Sequence, residues 1–393
     1  MTVMDWLLDS DPAIRWQVMR DLTREPADVV AAERAKVATE GWGAQLLALQ
    51  DADGQWGRDV LPASIQGAGE GLPDVGTRKL LRELHEVSLD RLAGYLDLDP
   101  GTLSAWENDP SPNPEVDGFD KYRSVLNWMR SSIGTLKPFW TSTTYTLMLL
   151  RDMGLEPASG QAHRAVAPVR DNSRWDHDGQ RFFDGEVEPC INGKVVALGA
   201  YFGQDVDGVV ERLLGEQLDD GGWNCEAENG SVRASFNTTI AVLEGLLEYE
   251  AANEPSPNVS ASRLEAQEYL LERRMFRRLS TGEIADPAWT EFSYPTYWHY
   301  DVLRGLDYLR SAGAEPDERC AEAIALLERK RDSEGRWPLE NTHPGRVHFE
   351  MEEGDGKPSR WNTLRAMRVL RWYGGEPDQY LLSSLTHPED RVP

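Results

Sequence analysis

The residues best suited to chemistry stand at the starts of two apolar helical stretches. Glu188, Cys190 and Asn192 open one stretch, and His299 and Asp301 open another. Carboxylate, thiol and imidazole groups serve enzymes as acids, bases or nucleophiles. The candidate catalytic residues are therefore Glu188, Cys190, His299 and Asp301. The alternative is that Asp301 caps its helix and His299 is a core residue.

A fifth catalytic candidate lies in a long acidic loop before the last apolar stretch. The segment at 348–362 reads HFEMEEGDGKPSRWN, and Glu350 lies near its start. A loop of this kind beside a helix start can cover a site as a lid. We expect it to point Glu350 or Glu352 inward, and the alternative is a plain solvated loop.

Aromatic and cationic residues near the helix starts are candidates for ligand binding. The chain contains 14 tryptophans, which indicates aromatic-lined surfaces in a core or a cavity. Aromatic faces stabilise cations, and arginines beside helix N-termini attract anions such as diphosphate. We therefore expect a small apolar ligand, with or without a diphosphate. The candidate residues are Trp140, Asn192, Arg233, Trp298, Arg360 and Trp361. Tryptophans that fill the core and arginines that pair with acids are the alternative.

These candidates depend on a repeated unit of two helices. Three segments share one loop, each after an amphipathic stretch: QDADGQW (50–56), QLDDGGW (217–223) and RDSEGRW (331–337). Glycine supplies the turn that ends the first helix, and tryptophan packs beneath it. The second helices are predicted at 12–22, 140–152, 190–202, 236–249, 297–310 and 360–373.

The number of units predicts how the helices assemble. Repeated helix pairs either stack into an open solenoid or close into a ring. The first unit begins with an inner helix, and a short helix at 378–385 would complete the last pair. The predicted fold is therefore all-α, an α6/α6 toroid.

The Gln-x3-Gly-x-Trp loops resemble the QW repeats of squalene/hopene cyclases and the related prenyltransferase β-subunits. The resemblance covers 1–62 and 137–393 and implies an α/α toroid that binds an isoprenoid in a central cavity. It also implies lyase, isomerase or transferase chemistry. The Asp-x-Asp-Asp acid of the cyclases and the Asp-Asp-x-x-Asp motif of prenyl synthases are absent from the sequence. Any catalysis therefore takes another route.

The resemblance also suggests where a metal would bind. Protein prenyltransferases hold zinc with Asp-x-Cys at one inner-helix start and a histidine at a later one. Glu188-Pro189-Cys190 and His299 occupy similar positions, and Cys225 could join them. Zinc or magnesium is accordingly the cofactor to test for, although none is required by the sequence.

An insertion at 63–136 interrupts the second unit with a helical pattern of its own. Its residues match XRE/Cro-type helix-turn-helix domains at Ser88, Leu92, Ala93, Leu96, Leu98, Thr102, Leu103, Trp106 and Glu107. The helix that reads DNA in that family here carries Thr102, Ser104 and Ala105, which offer little base recognition. The insertion has seven basic and twelve acidic residues and so a net charge of −5. We expect a protein partner here rather than nucleic acid.

Composition limits the remaining function classes. A net charge of −26 argues against binding to nucleic acid or anionic membranes, and no apolar run is long enough to span a bilayer. Three cysteines and an acidic start fit a cytoplasmic protein. Two alternative functions stay open. One is a non-catalytic ligand-sensing or regulatory scaffold that uses the insertion, and the other is an α6/α6 carbohydrate-active enzyme with two opposed carboxylates.

Overall fold

The computed structural model describes residues 1–57, 72–84, 87–132, 135–136, 139–175 and 179–375. Most of these residues are helical. Regular sheet within these ranges is limited to an antiparallel pair of two-residue strands, β1 (Trp337–Pro338) and β2 (Pro358–Ser359). The all-α prediction is confirmed. No helix among the described residues is both long and apolar enough to cross a membrane.

In chain order the helices are α1 (Val3–Leu8), α2 (Pro12–Val18), α3 (Ala27–Ala35), α4 (Gly41–Ala48), α5 (Val75–Leu84), α6 (Leu89–Leu96), α7 (Pro100–Asn108), α8 (Phe119–Ser132), α9 (Thr143–Met153), α10 (Gly160–Asn172), α11 (Pro189–Tyr201), α12 (Asp207–Gly215), α13 (Phe236–Ala252), α14 (Pro257–Glu272), α15 (Val302–Ser311), α16 (Ala321–Arg329) and α17 (Arg360–Tyr373). A π-helical turn, Met19–Thr23, extends α2.

The six predicted inner helices correspond to α2, α9, α11, α13, α15 and α17. The prediction places the start of α15 five residues too early, at 297. Asp301 instead caps the helix, because its carboxylate accepts the Arg304 backbone N–H at 2.7 Å. His299 and Asp301 therefore precede the helix rather than lie on it. The predicted helix at 378–385 lies outside the described residues.

Two glycines let α11 and α13 approach backbone to backbone. A Cβ on Gly193 would lie 2.5 Å from the carbonyl oxygen of Ala241, and one on Gly245 would lie 2.3 Å from that of Gly193. Any larger residue would push the two helices apart. This close contact fixes the position of the α11 N-terminus, where Cys190 lies.

The six helices contact one another in chain order. Glu244 on α13 pairs with Arg304 on α15, and α15 in turn packs on α17. The last helix then contacts the first, because Arg368 on α17 donates to the Gln17 side chain at 2.8 Å and pairs with Asp21. On its other side α2 contacts α9, since the Trp16 indole donates to the Met153 carbonyl at 2.8 Å.

The three repeated loops share the same hydrogen bonds. The indole N–H groups of Trp56, Trp223 and Trp337 each donate at 2.7 Å to a carbonyl ten residues earlier, on the preceding outer helix. Their backbone N–H groups donate to a threonine hydroxyl on the next inner helix, at 2.9–3.1 Å. Each tryptophan is buried and links two helices of its unit, as the repeat predicted.

The loops also join neighbouring units. The Gln50 amide donates to the Ala165 carbonyl on α10 at 2.7 Å, and Gln217 donates to the Ser262 carbonyl on α14 at 2.9 Å. The third loop has no glutamine, and there the Arg336 guanidinium lies 4.5 Å from the ring centroid of Trp6 on α1. The first helix of the chain thus packs against the last repeated loop.

The described part of the insertion forms α5 to α8 around a separate hydrophobic cluster that includes Leu92, Leu103, Trp106 and Tyr122. The side chains of Ser88 and Asp99 cap α6 and α7. The described part of the insertion is therefore helical with a core of its own, and its likeness to a helix-turn-helix domain stays a prediction.

Candidate functional site

Three potential metal ligands meet at the N-terminus of α11. An oxygen of Glu188 and the sulfurs of Cys190 and Cys225 all lie within 4.8 Å of one another. Cys225 begins a short 3-10 turn two residues after Trp223, so the repeated loop carries it to this helix start. The predicted metal ligands Glu188 and Cys190 lie in this cluster, but the predicted third ligand, His299, does not. Cys225 takes the third place, because loop ends and inner-helix starts meet at the same end of the structure.

The two thiols have opposite tendencies to ionise. The S–H of Cys190 donates to a Glu188 carboxylate oxygen at 3.6 Å, and the interaction between the two sulfurs raises the pKa of Cys190 and lowers that of Cys225. The hydroxyl of Thr238 and the backbone N–H of Cys190, in the first turn of α11, also stabilise the Cys225 thiolate. Cys225 is thus the better nucleophile or metal ligand of the pair, and both side chains are half-buried.

A buried cation lies beside this cluster. Lys194 is 2% exposed, and its ammonium donates to the Cys190 carbonyl at 3.0 Å. Burial lowers the pKa of Lys194. The same ammonium lies 5.9 Å from the ring centroid of Tyr145, so the cluster is continuous with an aromatic wall.

The aromatic wall contains one of the predicted ligand-binding residues, Trp140. Its ring stacks on Tyr297 with centroids 4.0 Å apart and meets Tyr145 edge-on at 5.1 Å. The Trp140 indole donates to the Pro344 carbonyl at 2.8 Å, which docks the loop before α17 onto the wall.

His299 is part of a stack that runs inward from the surface. Trp298, which is 38% exposed, stacks on His299 at 3.8 Å, and His299 stacks on His343 at 3.5 Å. Burial lowers the pKa of both histidines to about 4. Nδ1 of His299 and Nε2 of His343 have no hydrogen-bond partner among the described residues. Both rings are therefore neutral at pH 7.

A small cavity of about 50 Å³ lies between this wall and the loop at 342–354. Trp140, Tyr297, His343 and the predicted catalytic residue Glu350 are among the residues that line it. Glu350 is exposed, whereas burial raises the pKa of Glu352. The loop lines one side of the cavity, and Glu350 is exposed at its edge rather than pointing inward; the role of the loop as a lid stays a prediction.

Two of the predicted site residues have structural roles. Asp301 accepts hydrogen bonds from the backbone N–H of Arg304 and from the N–H and hydroxyl of Ser293. The Asn192 amide is fully buried and binds both backbone groups of Glu186 at 2.7 Å. The polar atoms of Asp301 and Asn192 are hydrogen-bonded mainly to backbone groups, so a ligand could bind them only by breaking these hydrogen bonds.

The remaining predicted ligand-binding residues are spread around the molecule. The Arg360 guanidinium donates to the Trp6 and Asp9 carbonyls and is therefore hydrogen-bonded to the backbone at the end of α1. Arg233 is exposed, and Trp361 is buried and stacks on Tyr294 at 4.3 Å. Neither arginine joins the thiol cluster or lines the cavity.

Sequence reasoning missed His343 and Tyr294, and it counted Lys194 only as one of the basic residues near the inner-helix starts. Lys194 lies one helical turn after Cys190, and that spacing was an available signal because residues four apart share a helix face. His343 and Tyr294 belong to irregular loops without periodicity, so no local signal pointed to them.

Comparison with known proteins gives no relative for this chain: no family model, curated protein or solved structure matches it. The resemblance to the QW-repeat proteins therefore stays a prediction, which the geometry alone must support.

Proposed function

We propose that this protein is a metal-dependent enzyme of the α/α-toroid type, in which Glu188, Cys190 and Cys225 hold zinc beside an aromatic ligand site. The observation that carries the proposal is the convergence of two sulfurs and a carboxylate oxygen within 4.8 Å. The two cysteines are 35 positions apart in the sequence and come from different units. The fold thus brings soft and hard donors together at one helix start.

The toroid is proposed from the order of helix contacts. Each inner helix contacts the next, and α17 contacts α2 through Arg368. The first two repeated loops each contact the next outer helix, α10 or α14, whereas the last repeated loop contacts Trp6 on α1. The first helix of the chain thus takes the place of the next outer helix. A closed ring accounts for both contacts, whereas an open solenoid would leave the first and last units apart.

The donor set fits zinc. Thiolate sulfur and carboxylate oxygen are common zinc ligands, and three protein ligands with one open position are typical of catalytic sites. Magnesium prefers an all-oxygen environment and suits this set poorly. When bound, zinc supplies Lewis acidity and stabilises a coordinated thiolate or hydroxide as a nucleophile.

The surrounding residues favour an anionic group at this place. The positive end of α11 points at the thiols, and Lys194 adds a buried cation. Tyr145, whose pKa is raised by burial and then by the neighbouring Cys190, keeps its proton and presents an aromatic face. A substrate with an apolar part against the aromatic wall and an anionic end near Lys194 fits these surroundings.

A prenyl diphosphate has this chemistry, and we propose it as the ligand class. The covered cavity of about 50 Å³ is much smaller than the roughly 300–1,000 Å³ of usual ligand pockets. An isoprenoid therefore requires the loop at 342–354 to move away from Trp140. Limited proteolysis with and without farnesyl diphosphate tests this step, and the proposal expects the cleavage pattern of that loop to change.

The metal proposal is tested by measuring zinc in purified wild-type protein and in C190S and C225S. We expect about one zinc per chain in the wild type and a loss of at least tenfold in affinity in each variant. Cys320→Ser is the matched control, because Cys320 is buried in the short turn before α16 and is absent from the cluster. Wild-type protein that binds no zinc after metal reconstitution would refute the proposal.

For the insertion, we propose a protein-binding role. The Arg78 guanidinium donates to the carbonyls of Pro73, Trp106 and Asp109, and Arg82 pairs with Glu107 at 2.6 Å. These cations hold the insertion together and are not available to phosphates. Lys79→Ala, which changes an exposed cation, should leave function unaltered, whereas strong DNA binding that is lost in this variant would contradict the proposal.

A further inference from the structure

The cavity beneath the loop at 342–354 has the chemistry of a cation site. Its walls include the aromatic side chains Trp140, Tyr294, Tyr297 and Phe349. Trp140 and Tyr297 stack on one another, and Tyr294 is stacked on Trp361 behind it. The rings are thereby held rigidly in place. Electron-rich faces arranged around a small space attract a positive charge.

The charged residues around the cavity favour the same sign. Glu350 and Glu352 line it, and none of the described lining residues is lysine or arginine. The Glu352 carboxylate accepts the Ser359 hydroxyl at 2.6 Å and the Trp361 backbone N–H at 3.2 Å at the start of α17, yet burial still raises its pKa, so a cation nearby would stabilise its ionised form. Three arginines act on the lining residues from outside the cavity. Arg304 pairs with Glu244, Arg365 pairs with Asp307, and Arg360 donates to the Trp6 and Asp9 carbonyls.

Two lining residues also carry buried polar atoms without partners in the described structure. They are the hydroxyl oxygen of Tyr294 and Nε2 of His343. Tyr294 is 9% exposed and His343 is 8% exposed. Orphaned polar atoms in a buried site cost free energy unless a ligand or water completes them. Both atoms can accept a hydrogen bond from an ammonium N–H.

The size of the cavity limits the ligand. A water molecule occupies about 10–15 Å³ of such a space, and the cavity measures about 50 Å³. About four non-hydrogen atoms therefore fit. We propose that this cavity binds a small alkylammonium group, such as trimethylammonium, between the aromatic rings and the carboxylates of the loop at 342–354. This site is separate from the proposed zinc cluster, and its occupancy does not depend on the metal. It shares Trp140 and Tyr297 with the isoprenoid site proposed above, so the two ligands would exclude one another.

Isothermal titration calorimetry of the full chain tests the proposal with trimethylammonium chloride as the probe. We expect saturable binding, about tenfold tighter than that of the neutral tert-butyl alcohol of similar shape. Phosphocholine forms a second arm. Its quaternary ammonium has no N–H, so it can use the aromatic and carboxylate contacts but not the hydrogen bonds to Tyr294 and His343, and we expect it to bind more weakly than trimethylammonium. Equal affinity for the alcohol, or no saturable binding of either ammonium compound, would overturn the assignment.

Two variants separate the contributions. Glu350→Gln removes an exposed carboxylate at the cavity and should weaken binding about threefold, whereas Glu353→Gln on the same loop does not touch the cavity and should leave it unchanged. Tyr294→Phe should weaken trimethylammonium more than tetramethylammonium, because only the former donates an N–H. An equal effect of both glutamine variants would mean that general surface charge attracts the probe, and the proposed site would be rejected.

Discussion

The stacked histidines make the stability of the protein sensitive to mild acid. His343 is buried against His299, and burial and the nearby charge of Arg304 lower its pKa from 6.5 to about 4. In the unfolded chain the ring returns to its ordinary pKa, so the unfolded state binds more protons between these values. The contribution of His343 to folding is therefore fully present above pH 6.5 and is lost as the pH falls toward 4.

The size of the effect follows from the shift in pKa. One unit corresponds to 1.36 kcal/mol, so the free energy of unfolding falls by about 3 kcal/mol in total and by about 2 kcal/mol at pH 5. The histidine is 8% exposed, so little solvent screening reduces this figure. His299, whose pKa is also lowered to about 4, adds a loss of the same sign.

Urea unfolding at pH 7 and pH 5 measures the effect. His343→Phe keeps a ring against His299 but cannot be protonated, so its stability should fall by about 2 kcal/mol less than that of the wild type over this interval. His163→Gln is the control, because that histidine is exposed on α10. If wild type and His343→Phe lose stability in parallel, the reasoning is wrong. An NMR titration of the His343 ring in wild-type protein gives a second test, and a midpoint near 6.5 would contradict it.

Three further predictions concern the helix contacts. Arg304→Met leaves the Glu244 carboxylate without its partner between α13 and α15 and should lower the free energy of unfolding by about 3–5 kcal/mol in chemical denaturation. Adding Glu244→Gln should recover more than half of this loss; if the losses of the two single variants simply add, the buried pair is contradicted. Gly221→Ala should lower the free energy of unfolding by at least about 1 kcal/mol more than Gly230→Ala. Both glycines have φ near +90°, but only a Cβ at Gly221 would lie 2.8 Å from the Glu265 carbonyl oxygen. Equal losses would show that backbone strain alone matters. Trp223→Phe removes the indole donor and leaves the Leu213 carbonyl with only the Glu216 backbone N–H at 3.2 Å, so the free energy of unfolding should fall by about 1 kcal/mol and the thermal midpoint with it; an unchanged midpoint would show that the indole hydrogen bond contributes nothing.

The helices of the repeat could be predicted because their signals are local. Gly54, Gly221 and Gly335 all adopt positive φ where the sequence places the end of an outer helix. Gly154 and Gly313 likewise adopt positive φ after inner helices. A backbone of this kind favours glycine wherever it occurs. The pattern therefore predicts the same turn in each unit without knowledge of the tertiary fold.

The start of α15 shows where local signals fail. The apolar and aromatic pattern continues back to Tyr297, and the sequence therefore predicts a helix from 297. In the structure the helix begins only at Val302, because Asp301 caps its N-terminus and Tyr297 has a φ of 52°, which is not helical. Tyr297 is held in that conformation by its stack on Trp140, a contact with another unit. Long-range packing overrides the local preference here.

The composition of the site was partly accessible. Glu188 and Cys190 were selected from the start of an apolar stretch, and both lie in the cluster. Cys225 required the knowledge that the loop after Trp223 reaches the start of α11, which depends on how two units pack. Asn192 was selected from the same stretch, but its amide is used on the backbone of Glu186.

By itself, the sequence determined that this chain is built of repeated helix pairs, since glycine turns, capping residues and apolar spacing act over a few residues. Only the tertiary structure decided which polar side chains meet. It placed Cys225 against Cys190 and His343 against His299, and it turned Asp301 and Asn192 toward backbone groups. The physical reason is that the contacts of a side chain depend on the packing of distant helices, about which its neighbours in the chain carry no information.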